Sequence, residues 1–69
     1  MGKTEKVALI GELEFKLLNL AGYRAKTYQA EHECNVHKIQ ESCYEVEVFH
    51  GQAQDTAEEI GKLLVKLLL

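Results

Sequence analysis

Cys43-Tyr44-Glu45-Val46-Glu47-Val48-Phe49 is the stretch on which the fold of this chain turns. Tyr44, Val46 and Val48 alternate with Cys43, Glu45, Glu47 and Phe49, so one face is apolar and the other mostly charged. A period of two with faces of that kind predicts a half-buried β-strand. Upstream, residues 24–31 read as a weaker strand, with Ala25, Thr27 and Gln29 on one face and Lys26 and Tyr28 on the other. Residues 35–40 form a turn or the lead-in to the second strand. Gly51 marks a further turn, followed by a short, weak third strand at Gln52-Ala53.

Outside this central region the period lengthens to that of a helix. At about 100° per residue, Leu9, Ile10, Leu13, Leu17, Leu20 and Ala21 share one face of a helix over residues 4–21, with Glu5, Glu12, Lys16 and Asn19 opposite. Gly22 stands where a left-handed residue would end it. Asp55 with Glu58, or Thr56 with Glu59, fits a capping box opening the last helix, and acids suit the first turn's dipole. Ala57, Ile60, Leu63, Leu64, Leu67 and Leu68 make its buried face, and Lys62 and Lys66 its wet one. The expected fold is α+β, in the order α-β-β-(β)-α. Two helices pack on one face of a small antiparallel sheet, in a single domain spanning residues 1–69.

Size and charge bound the function. Sixty-nine residues leave room for one small domain and little for a substrate cleft. The net charge of −3 is spread thinly: residues 1–22 balance, and the acidic excess lies in 23–51 and 52–69. No segment is strongly basic, which weighs against a general nucleic-acid binder. The start of the chain is too polar for a signal peptide, and Leu67-Leu68-Leu69 is far too short to span a bilayer. Two cysteines without a secretory leader predict a reducing, intracellular setting, cytoplasm or nucleus, and no membrane partner.

Both helices carry more apolar residues than one face can hold. Phe15 and Leu18 on the first, and Val65 and Leu69 on the last, fall away from the main stripes. Contiguous exposed apolar groups mark interfaces, so these four are the candidate contact residues for a protein partner or a second copy.

Residue by residue, the layout resembles a double-stranded-RNA-binding domain. Leu13 and Leu17 match the leucine pair of that family's first helix, Gly22 its end, and Tyr28 the tyrosine opening the first strand. Glu31 or Glu33 matches the acidic residue that follows. His37 resembles the loop histidine, about three residues early. Tyr44-Glu45-Val46-Glu47-Val48 looks like the second strand, and Ala57-Glu58-Glu59 through Leu67-Leu68 like the last helix. The departures are as informative. RNA-binding members carry a lysine cluster at the start of the last helix, where this chain has Thr56-Ala57-Glu58-Glu59, and Lys16 replaces a groove-reading glutamate. The resemblance therefore implies a degenerate, non-catalytic module for homodimerisation or partner docking. The alternative it implies is weak, salt-dependent binding of duplex RNA through Lys16, Arg24, Lys26, His37 and Lys62. A small acidic inhibitor that mimics nucleic acid is a third expectation, supported by charge alone.

His32, Cys34, His37 and Cys43 supply two imidazoles and two thiolates within twelve residues, a complete tetrahedral zinc set by type, though without a tight Cys-x-x-Cys knuckle. The competing reading is of exposed loop histidines and small packing cysteines, with no cofactor. A Cys34–Cys43 disulfide is geometrically open to the chain and disfavoured by an intracellular setting. Cys34 or Cys43 with His37 or His50 holds the atoms of a thiol nucleophile and its base. No phosphate loop or nucleophile elbow accompanies them, so the chain is expected not to be an enzyme.

Overall fold

A computed structural model describes residues 2–69. The chain forms two long helices, α1 (Lys3–Asn35) and α2 (Gln40–Leu68), joined by residues 36–39 and laid antiparallel as a rod of 52 × 14 × 13 Å. The described residues contain no β-strand. The α+β expectation is therefore corrected to an all-α hairpin, and the double-stranded-RNA-binding fold is absent with its sheet.

The physical reason lies in a period that only a long window reveals. On α1, Leu9, Leu13, Lys16, Leu20, Tyr23, Thr27, Ala30 and Cys34 recur at alternating steps of four and three. On α2, Ser42, Val46, Phe49, Ala53, Thr56, Ile60, Leu63 and Leu67 do the same. This is the 3.5-residue repeat of an antiparallel coiled-coil seam. Each of these sixteen residues is buried or half-buried, and among the described residues only Asn19, Glu33, Cys43 and Glu45 share that status.

The alternation at 43–49 is a short coincidence inside this longer repeat. Val46 and Phe49, on opposite faces of the expected strand, are seam neighbours three apart on a helix. Residues 24–31 likewise lie within α1, where Thr27 and Ala30 are buried. Ala53, expected in a third strand, is the most buried seam residue at 2% exposure.

Gly22 and Gly51 do not end or turn the chain, and both lie inside helices. A helical glycine costs about 1 kcal/mol against alanine, and burial of a continuous seam outweighs that. Asp55 and Thr56 cap nothing, because α2 begins fifteen residues earlier. Thr56 instead faces α1, and its hydroxyl donates back to the Gln52 carbonyl at 2.9 Å. Thr27 does the same to Tyr23 at 2.8 Å. Both buried hydroxyls are thereby satisfied.

Of the two readings open for residues 35–40, the turn is the one present, at residues 36–39, and there is no strand for it to lead into among the described residues. The Val36 N–H donates to the His32 carbonyl and the Ile39 N–H to that of Glu33, closing the end of α1. Lys38 takes a positive φ of 57° there, in the left-handed region that penalises a side chain. Lys38→Gly should raise stability by roughly 0.5–1 kcal/mol, read as a higher urea midpoint at an unchanged slope. A lower midpoint would mean that the lysine side chain makes a contact worth more than its backbone strain.

Two cross-helix pairs fix the register, Lys16 with Glu59 and Cys34 with Cys43. They set Tyr23 level with Ala53, Thr27 with Phe49, and Ala30 with Val46. Large residues thus face small ones through the middle of the rod. Leucine and isoleucine fill the open end, where Leu13 lies level with Leu63.

A candidate association face

The seam occupies one side of each helix and leaves two flanks, whose characters are opposite. One flank is polar. Glu12, Lys16, Glu59, Lys62 and Lys66 line a shallow depression there together with Leu63. Lys16 Nζ donates to Glu59 Oε2 at 2.7 Å. That hydrogen bond raises the lysine pKa above its ordinary value, against partial desolvation, with the charges of Glu59 and Glu12 adding to it. Farther along the same flank, the Lys26 ammonium lies 5.7 Å from the Phe49 ring centroid and 6.0 Å from that of Tyr23.

The other flank is apolar over the open half of the rod. By helical spacing it carries Val7, Ile10, Leu17 and Ala21 from α1 and Ala57, Gly61, Leu64 and Leu68 from α2. The register places Ile10 beside the level of Leu64 and Leu68, and Leu17 beside Ala57 and Gly61. Ile10, Leu17 and Leu64 are 46%, 47% and 43% exposed, and Leu68 is 84% exposed. Toward the closed end this flank turns polar, through Arg24, Tyr28, His50 and Gln54, with Arg24 Nη2 donating to the Tyr28 hydroxyl at 2.8 Å.

This flank was half legible in the sequence. The apolar arc of the first helix, from Leu9 to Ala21, merges the seam residues Leu9, Leu13 and Leu20 with the flank residues Ile10, Leu17 and Ala21. The arc of the last helix likewise merges Ile60, Leu63 and Leu67 with Ala57, Leu64 and Leu68. Each arc is wide enough for two neighbours, and the hairpin supplies one.

The four expected contact residues, Phe15, Leu18, Val65 and Leu69, are all exposed. The hairpin does not gather them into one patch. Leu18 and Val65 point outward from opposite helices and border the apolar flank, whereas Phe15 and Leu69 lie toward the polar side.

The five expected RNA contacts are scattered as well. Lys16 is held by Glu59, Arg24 by Tyr28, and Lys26 lies against aromatic rings. His37 sits in the closed-end turn, and Lys62 lies on α2 toward the open end. With the sheet absent, the degenerate RNA-binding-domain module that the resemblance implied is overturned, and its duplex-RNA alternative, left without the fold or a common surface, falls with it. The acidic-mimic expectation falls back to net charge alone.

At the closed end Cys34 and Cys43 are joined in a disulfide, with Cα atoms 4.8 Å apart. Bonded to each other, they offer no thiolate to zinc or to a substrate. The His32 and His37 rings meet edge to face at 5.5 Å. No group of three or more His, Cys, Asp or Glu side chains among the described residues is placed to hold a metal ion. No protein-family model, curated protein or solved structure matches the chain.

Proposed function

We propose that the chain is a non-catalytic association element: a disulfide-clasped helical hairpin that presents one apolar face to a helical protein partner. The observation that carries this reading is the uncovered apolar flank. Ile10, Leu17, Leu64 and Leu68 remain open along one side of the rod, no better covered than the exposed Glu12, Lys26, Glu59 and Lys66 of the polar flank. A lone two-helix rod gains nothing from that arrangement. A helix laid in the groove between α1 and α2 would cover it, by the ridge-and-groove packing that builds helical bundles.

The test combines sedimentation equilibrium with binding of an apolar fluorescent dye. The expected result is either a mass above one chain or a folded single chain that binds dye. Leu17→Glu with Leu64→Glu should abolish both. A single chain that binds no dye would refute the reading.

The Cys34–Cys43 bond supports a compartment in which disulfides persist, in place of the reducing one expected from the sequence. Protein isolated under thiol-blocking conditions should then show no free cysteine. No described helix is long and apolar enough to cross a membrane.

A further inference from the structure

Resting on the association reading, we infer that the partner is a second copy of this chain, docked open half to open half across the Val7-to-Ala21 and Ala57-to-Leu68 flank to form a four-helix bundle. A two-fold contact requires a patch complementary to itself. This one is. Bulky Ile10, Leu17, Leu64 and Leu68 share it with small Ala21, Ala57 and Gly61, so the ridges of one copy have gaps to enter on the other. Nothing lies within 4 Å of where a Cβ would stand on Gly61, so a neighbouring ridge has room there. Glu14 is the one charge set among these apolar residues on α1.

The area fits as well. From their exposures, Val7, Ile10, Leu17, Leu64 and Leu68 offer on the order of 500 Å² of apolar surface, at the upper end of what a single chain leaves open. With a polar rim this approaches the roughly 800 Å² per partner of a standard stable interface. The hairpin also has reason to use it. Among the described residues no large side chain is fully buried, and a second layer would enclose the seam's half-exposed edge.

Charge selects the orientation. The closed half carries most of the acidic excess, with Glu31, Glu33, Glu41, Glu45 and Glu47 against Arg24, Lys26 and Lys38. Parallel docking would set two such halves side by side. Antiparallel docking overlaps the open halves and sends the closed ends, with their disulfides, in opposite directions. The dimer is then longer than one hairpin.

Sedimentation equilibrium and small-angle scattering on the oxidised full chain test this directly. The expected result is a dimer with a maximum dimension of roughly 1.5 times the 52 Å rod, as half-overlap requires. Leu17→Glu with Leu64→Glu should raise the dimer Kd by about 100-fold or more, through two central contacts. Helical circular dichroism should be unchanged, because neither residue is in the seam. Gly61→Gln is the second variant. It should improve the isolated helix, where nothing obstructs it, and still block the dimer.

A single-chain mass at every concentration would overturn the second-copy partner. Dye binding in that state would leave the association reading standing with a foreign helix as occupant, and its absence would sink both. A dimer indifferent to both flank variants but broken by Phe15→Lys with Leu69→Lys would overturn the face. A dimer no longer than 52 Å would overturn the antiparallel orientation.

Discussion

Replacing Cys34 and Cys43 together by serine should lower the melting temperature by about 10–20 °C. The bond closes a loop with a sequence separation of nine residues. Removing a constraint of that length from the unfolded chain costs roughly 2–3 kcal/mol by loop-closure entropy. In a domain of this size, each kcal/mol moves the midpoint by about 4–8 °C. The consequence is local in origin and global in effect. The disulfide ties the end of α1 to the start of α2, so the seam begins in register from there. Thermal melts of oxidised protein, reduced protein and the double-serine variant, at one fixed concentration, make the comparison. Equal midpoints would show that the turn at 36–39 closes the hairpin unaided, leaving the bond no stabilising role.

Leu63→Ala should cost about 2–5 kcal/mol, within the range for emptying a buried leucine site. Leu63 is 5% exposed and belongs to the seam layer level with Leu13. Few large side chains in this rod are buried as deeply, so little surrounding structure can redistribute the loss. Leu18→Ala is the matched control. Leu18 is 73% exposed and points away from α2, so its loss should shift the urea midpoint by no more than about 0.5 kcal/mol equivalent. Equal effects would mean that Leu18 is covered in solution, which would enlarge the association face beyond the flank argued above.

These expectations depend on separating seam residues from flank residues, and the sequence permits that only in part. Leu13, Leu20, Ile60, Leu63 and Leu67 stand out as core by helical spacing alone. Lys16, Thr27, Ala30, Ala53 and Thr56 do not, because nothing in a lysine, a threonine or an alanine announces burial. Their positions become meaningful only once the repeat of four and three is followed through both helices. The glycines deepen the ambiguity. Gly22 and Gly51 look like breaks, and reading them so divides each long helix into a shorter helix and a remnant that passes for strand. Tyr44, Val46 and Val48 then complete the illusion, since β-branched and aromatic residues favour strands when their context allows it.

The resemblance to a double-stranded-RNA-binding domain failed for the same reason. It rested on Leu13, Leu17, Gly22 and Tyr28, spaced to suit a helix that ends and a strand that begins. In the hairpin all four lie on one uninterrupted helix. Their spacing places Leu17 and Tyr28 on the flank, Leu13 in the seam and Gly22 on the outside.

The amino-acid sequence by itself determined two amphipathic ends, a mild acidic excess and more apolar surface than a single packing partner can cover. Those properties follow from local composition and spacing, which are written along the chain. The tertiary structure decided which of two periods governs the middle, which half of each apolar arc is core, and that Cys34 meets Cys43. Each of these depends on what the opposite helix brings to the same level. Val46 and Phe49 are helical neighbours because Ala30 and Thr27 stand across from them to receive their side chains, and no local pattern records that.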